Sequence, residues 1–381
     1  MSNAHIVSEL FSQQYLTEPE WITHAPGRVN LLGDHTDYND GFVLPVAINF
    51  GTYIAASRRN DKIIRVYAHD CAQETAEFSL DRIQFNAQQM WVNYVAGTLQ
   101  ILAMQFPDVT GADLVVSGNV PQGAGLSSSA SFEIAILKVF NALFDLGLDG
   151  VKAALLGQQA ENEFVGCNCG IMDQLVSAMG EKDHAMLLDC RSLTFENVFI
   201  PKDLSLYIVN SNVKRGLVDS EYNQRRLQCE KVAHFFNREV LRDVSLVQLN
   251  TAKSQLEPVL YKRARHVITE NIRTQAAFKA LRDNNIVALS VLMKESHLSL
   301  RNDFEVTTKE MDGLVDIIDD VLGNTGAVRM TGGGFGGCVV ALVPTHAVQM
   351  LTSVIGSRYS KMFGLVASIY VCKASVGAFS G

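Results

Sequence analysis

The sequence predicts a protein of mixed strands and helices in two domains with a cleft between them, and three observations carry that prediction. At 381 residues the chain is longer than one hydrophobic core usually serves. Its first third is rich in extended, hairpin-like runs, whereas helical spacing dominates from about residue 212 to about 322. A composition of 48% hydrophobic and 19% charged residues supplies a sizeable core under a polar surface.

Taken in order, "EWITHAPGRVNLLG" reads as a strand, a turn and a second short strand, and "GFVLPVAINFGTYIAASRR" as extended runs separated by Pro45 and Gly51. "KIIRVYAHD" adds another strand. From Trp91 to Phe106 the large apolar residues fall at helical intervals, and "GADLVVSGNVP" returns to a strand that Pro121 ends. "SSSASFEIAILKVFNALFDL" is the next helix, with serines at its mouth. Two further helices, "VKAALLGQQAENEFVG" and "GIMDQLVSAMG", are joined by "GCNCG", and "HAMLLDCRSL" follows as a strand. A second half begins near Pro201 with the strand "LSLYIVNSN", and Arg-, Gln- and Glu-rich helices follow it. "GAVRMTGGGFGGCVVALVP" then reads strand, glycine turn, strand, and "SIYVCKA" is a last strand. The expected domains are therefore residues 1–200 and 201–381, with the last strand free to return toward the first domain.

The formal net charge of -8 argues against a nucleic-acid surface, which needs clustered Lys and Arg. Any anionic ligand must then be held by local donors. Seven cysteines, an odd number without a CxxC pair, fit a reduced cytoplasmic setting. The first residues carry Glu9 and lack the basic start and long apolar core of a signal peptide, and no stretch is unbroken enough to span a bilayer. No membrane association and no obligate protein partner are expected.

Four segments carry candidate chemistry. "PQGAGLSSSAS", Pro121 to Ser131, lies between a strand and a helix, so its glycines and the free N–H groups of the helix start can cradle phosphate. A plain capped turn is the competing reading, but three serines in a row let one cap while another offers a hydroxyl to a metal. "GGGFGG", Gly332 to Gly337, is followed by a strand and not a helix, so it is either a hairpin loop or a backbone-only wall against another phosphate loop, and no Rossmann site. In "AENEFVGCNCGIMDQLVSAMG", Glu163 reads as a solvated charge, whereas Asp173 sits among Ile171, Met172, Leu175 and Val176 and needs a partner if it is buried. A structural N-cap is its alternative, and Cys167 and Cys169 read as small buried residues. Tyr222, beside Ser220, Glu221 and Asn223, either belongs to the core or walls a polar pocket.

Together with "HAPGRVNLLGDHTDYNDGFVLP", a polar run between apolar flanks, these segments resemble the galactokinases of the GHMP kinase superfamily. The opening run looks like the galactokinase signature, "PQGAGLSSSAS" like the superfamily's ATP loop and "RMTGGGFGGCVVAL" like its third motif. The resemblance extends from about Thr23 to about Lys373. It implies a two-domain α+β fold with the active site between the domains. The implied reaction transfers the γ-phosphate of ATP to the C1 hydroxyl of α-D-galactose, the entry step of the Leloir pathway.

Residue roles follow from the same resemblance. Asp173 matches the carboxylate at the C1 hydroxyl and Arg28 the cation that compensates its burial and the phosphoryl charge. Ser129 and Glu161 match the ligands of a magnesium ion carried with ATP, and the loop Gly123, Ala124, Gly125, Leu126, Ser127, Ser128 and Ser129 matches the phosphate cradle. Asp34, His35, Thr36, Asp37 and Tyr222 match sugar contacts, with Asp37 assigned to the C3 and C4 hydroxyls. Galactokinases usually carry Glu where this chain has Asp34, one methylene shorter, so the contact expected there with the C6 hydroxyl lengthens or passes through water. The alternatives are a kinase for N-acetylgalactosamine, arabinose or another related sugar, and a non-catalytic sensor of galactose and ATP.

Overall fold

The computed structural model describes residues 2–121, 124–213 and 218–380. Helix α1 (Asn3–Tyr15) leads into strand β1 (Trp21–Asn30), then β2 (Phe42–Val43), β3 (Pro45–Arg58), β4 (Ile63–Ala68) and β5 (Glu74–Ser79). Helix α2 (Met90–Gln105), strand β6 (Ala112–Gly118) and helices α3 (Ser128–Phe144), α4 (Gly150–Ala160) and α5 (Met172–Met179) follow. Strands β1, β3, β6, β4 and β5 form one sheet in that order, antiparallel except for the parallel pair of β4 and β6. Its inner face is covered by α2 to α5 through Ile54, Leu114, Ile134, Phe140 and Leu175, all buried. Helix α1 covers Ala55 and Val115 on the opposite face with Val7 and Phe11.

Strands β7 (His184–Asp189) and β8 (Phe195–Phe199) join β2 in a small sheet. The second half runs through β9 (Leu204–Asn210), helices α6 (Val218–Phe235), α7 (Leu246–Thr251), α8 (Pro258–Arg282), α9 (Ile286–Ser299) and α10 (Lys309–Leu322). It continues through β10 (Ala327–Thr331), β11 (Cys338–Pro344), α11 (Val348–Phe363) and β12 (Ser368–Cys372). Its antiparallel sheet has the order β10, β11, β9, β12; β10, β11 and the middle of β9 are buried on both faces, whereas β12 is only half-buried. Along β9, Tyr207 and Val209 face α10 and α11, while Leu206 and Ile208 share a core with Val29, Leu31, Leu44 and Ile48 of the first half. That shared core joins the halves.

Two strand readings differ from the sequence expectation. Residues 21–30 form one strand whose register shifts between Pro26 and Arg28, a bulge and not a turn. Strand β3 runs through Gly51 unbroken, because a Cβ there would run into the backbone of Ala25 on the neighbouring strand and only glycine fits. Beyond β12 the chain returns to the first half: Asn49 N donates to Lys373 O at 3.1 Å, Ser375 N to Ala47 O at 2.9 Å and Gly377 N to Gly180 O at 2.7 Å.

Candidate active site

The bulge in β1 sets the centre of the site. At Gly27 an added Cβ would lie 2.7 Å from Leu126 O, so the strand and the glycine–serine loop touch through backbone. Arg28 N donates to that same carbonyl at 3.1 Å, and Arg28 Nη1 donates to Gly125 O at 2.7 Å. The rest of the guanidinium forks onto Asp173 in the first turn of α5, with Nε to Oδ1 at 2.7 Å and Nη2 to Oδ2 at 2.6 Å. Ser127 donates its hydroxyl to Asp173 Oδ2 as well. This bidentate pairing answers the partner question for Asp173 and leaves acceptor capacity on Oδ1.

The loop's left-handed positions fall at Gly125 (φ 74) and Ser127 (φ 58), the latter a strained conformation for a residue with a side chain. Helix α3 starts at Ser128, so its free N–H groups open at Ser128 and Ser129. Ala124 and Leu126 turn their side chains into the core that joins the halves. Gly123 lies outside the described residues. Gly332 and Gly333 face the loop across the cleft, and a Cβ on Gly332 would stand 3.6 Å from Gly125 O. The glycine run is thus a backbone wall against the loop, with positive φ at Gly332, Gly334, Gly336 and Gly337.

Asp37 and Tyr222 line the same cleft, a cavity of about 460 Å³ that also holds Arg28, Asp173 and Glu161. Burial pushes the Asp37 carboxyl up to about 6, with the nearby Asp173 charge adding to the effect. Burial also raises the Tyr222 phenol well above its ordinary value, so it is a neutral hydroxyl. His35 (φ 65) is driven down to about 3 by burial and stays neutral, its Nδ1 lying 2.9 Å from the Tyr38 hydroxyl. Thr36 corrects the expectation of a sugar contact. It is fully buried and its hydroxyl sits 2.7 Å from the carbonyls of Gly33 and Phe42, so it braces the turn and does not face the cleft. Asp34 reaches the cavity wall, but Asn30 Nδ2 donates to its Oδ1 at 3.0 Å and Arg329 pairs with its Oδ2.

Glu161 opens a π-helical turn, Glu161–Val165, that widens the end of α4 and ends at Gly166 (φ 88). Its Oε2 accepts from Gln174 Nε2 at 2.6 Å and from the Cys169 thiol at 3.3 Å, and the Ser129 hydroxyl also bonds it. Burial, then the charge of Asp173, raises its carboxyl. Cys169, read as a plain buried residue, therefore touches a site carboxylate. The fully buried Glu133, which attracted no notice in the sequence, shares Gln174 Nε2 at 3.0 Å and is raised well above its ordinary range by burial.

A second cavity, of about 280 Å³, was not anticipated. Trp91, Val116 and Phe132 make its apolar walls and Asp70 its polar edge, where the carboxylate accepts from Ser117 Oγ and Gly118 N, both at 2.8 Å. Tyr94, Ser128 and Ser129 line both cavities, so the two meet at the start of α3. An apolar slot, a donor-rich helix start and a polar chamber in sequence suit a nucleotide, its phosphates and a polyol acceptor.

Comparison with known proteins agrees with that layout. The family model described as the galactokinase galactose-binding signature matches residues 9–58, that of the GHMP kinases N terminal domain matches residues 93–181, and that of the GHMP kinases C terminal matches residues 277–361. The structure of Lactococcus lactis galactokinase complexed with galactose is 34% identical, covers 99% of each chain and superposes with a TM-score of 0.93. Mevalonate kinase of Methanococcus jannaschii is 18% identical over 93% of this chain and 98% of its own, with a TM-score of 0.63. The L. major mevalonate kinase in complex with R-mevalonate is 15% identical over 95% and 99%, with a TM-score of 0.66. The last two share the fold. Among the described residues no helix is long and apolar enough to cross a membrane.

Proposed function

We propose that this chain, which belongs to the galactokinase family of the GHMP kinases, transfers the γ-phosphate of ATP to the C1 hydroxyl of α-D-galactose, giving galactose 1-phosphate and ADP. The observation that carries the reading is the meeting of an apolar and a polar cavity at Ser128 and Ser129, with the Arg28–Asp173 pair on the polar side. Adenine stacks in the slot of Trp91 and Phe132, the phosphates lie along the loop to Ser129, and the sugar fills the chamber of Asp37 and Tyr222.

Asp173 Oδ1 orients the C1 hydroxyl and accepts its proton as that oxygen attacks the γ-phosphorus in line. The bond from the γ-phosphorus to the ADP oxygen breaks, and the Arg28 guanidinium offsets the charge that gathers on the transferred group. Asp34 and Asp37 accept hydrogen bonds from sugar hydroxyls, so an epimer with a misplaced hydroxyl leaves buried acceptors unpaired.

Ser129 and Glu161 fit a magnesium ion carried with ATP. Their oxygens are the donors a hard cation takes, and the Ser129 hydroxyl bonds the Glu161 carboxylate, so the two stand together at the start of α3. Among the described residues no cluster of three or more His, Cys, Asp or Glu side chains forms a metal site, so phosphate oxygens and water would complete the shell. When bound, the ion neutralises charge on the β- and γ-phosphates.

A coupled ADP-release assay with magnesium, fixed ATP and a panel of galactose, N-acetylgalactosamine, arabinose and glucose tests the reading. Galactose should react fastest. Faster turnover of another sugar overturns the choice of acceptor, and binding of galactose and ATP without ADP release makes the protein a sensor.

A further inference from the structure

A buried chain of charges runs from α8 to the wall of the polar cavity. Arg273 Nε donates to Glu270 Oε2 at 2.8 Å, and Glu270 Oε1 accepts from Gly33 N at 3.1 Å and from Ser296 Oγ at 2.5 Å. Arg329 Nη1 lies 3.4 Å from Glu270 Oε1, and Arg329 Nη2 pairs with Asp34 Oδ2. Arg329 and Glu270 are fully buried and Asp34 is 3% exposed. Two cations and two carboxylates balance, yet burying them costs several kcal/mol per ion before pairing, and an apolar core of the same volume is often as stable. Stability alone does not account for the chain.

Its geometry fixes one side chain. Arg329 is pinned to backbone, with Nε donating to Met330 O at 2.7 Å and Nη1 to Leu31 O at 3.1 Å. Asn30 holds the other oxygen of Asp34, and Thr331 Oγ1 donates to Asn30 O at 2.8 Å, so β10 grips both ends of the Asn30–Asp34 segment. We propose that Arg329 is a positioning residue for the acceptor: it holds the Asp34 carboxylate at the cavity wall in the one orientation from which a sugar hydroxyl can donate to it. The short arm of Asp34 makes the grip firm, since an aspartate tied at both oxygens has little rotamer freedom left. The same strand then continues into Gly332, so the sugar wall and the wall against the phosphate loop are set together. The proposal rests on the reading that this cavity takes a hexose.

Arg329→Lys keeps the charge and loses the planar fork. The expected result is a rise of about ten-fold or more in KM for galactose and in its Kd measured by calorimetry without ATP, with kcat and KM for ATP within about three-fold. In an Asp34→Asn background the same substitution should add less than about three-fold, because both act through one carboxylate. A monodeoxy-galactose series should show the same hydroxyl losing its contribution in Asp34→Asn and in Arg329→Lys. An unchanged galactose KM, effects that multiply in the double variant, a parallel rise in KM for ATP, or a variant too unstable to purify would each overturn the proposal. Wild-type protein that binds no galactose sinks the reading of the cavity, and the proposal with it.

Discussion

Replacing Asp37 with asparagine should make the free protein more stable and a worse enzyme, and the gain should depend on pH. The Asp37 carboxyl is raised from 3.8 to about 6, first by burial and then by the charge of Asp173. A folded-state value above the unfolded one means the folded chain binds the proton more tightly, so stability is full below pH 4 and falls as pH rises through about 6. A ten-fold difference in proton affinity between the folded and unfolded chain is worth about 1.4 kcal/mol, so the ionised carboxylate costs the fold up to about 3 kcal/mol at neutral pH. Asp37→Asn removes the charge and keeps an oxygen for the local backbone N–H bonds. Urea unfolding of ligand-free protein at pH 4, 5.5 and 7.5 should show wild type and variant alike at pH 4, with the variant ahead by about 2 to 3 kcal/mol at pH 7.5. Galactose turnover should fall by about ten- to a hundred-fold, since hydrogen bonds to a charged acceptor contribute about 1.5 to 3 kcal/mol. A variant no more stable than wild type at pH 7.5, or equally favoured at every pH, refutes the reasoning.

Three further outcomes test other parts of the site. Asp173→Asn should lower kcat by about a hundred- to ten-thousand-fold while ATP binding by calorimetry stays within about three-fold, because the proton acceptor is lost and the nucleotide cavity is untouched. Trp91→Ala should raise KM for ATP by about five- to a hundred-fold, the worth of one base stacked on an aromatic ring, with galactose KM unchanged. Gly170→Ala places a methyl group on the Asp37 carboxylate and should raise galactose KM well before ATP KM, whereas Gly356→Ala, on the open side of α11, should change neither.

Local patterns in the sequence were enough for the strand, glycine turn and helix around residues 112–144, because each of its signals lies within a few residues of the next. At Gly332 to Gly337 the pattern left two uses open, a hairpin loop and a backbone wall, and the run serves as both: β10 and β11 pair across it, and Gly332 stands against Gly125 O. Asp173 could be singled out by its apolar neighbours, but its fork with Arg28 depended on family resemblance, since the two meet only when β1 and α5 pack. The second cavity could not be read, because Asp70, Trp91, Val116 and Ser129 come from separate elements and Trp91 fitted the apolar face of a helix equally well. Thr36 misled because a threonine among polar residues looks like a ligand, while its hydroxyl is consumed by two carbonyls of its own turn. Helix α1 does carry a helical signal in the spacing of Val7, Leu10 and Phe11, which the sequence reading left unused, whereas β5 alternates in exposure with only Ala76 and Phe78 as apolar residues.

The return of residues 373–379 to the first half bears on how the protein can be made. Phe379 packs against the first core and lies under Lys138 Nζ at 4.7 Å from its ring centroid, and Ala378 N donates to Ser177 O at 2.9 Å, one turn from Asp173 in the helix that carries it. The half that emerges first from the ribosome therefore lacks a seam that is synthesised after the whole second half. Until residue 379 has been translated, α5 lacks its contacts with residues 377–379, and β3 lacks the bond from Ser375 N to Ala47 O.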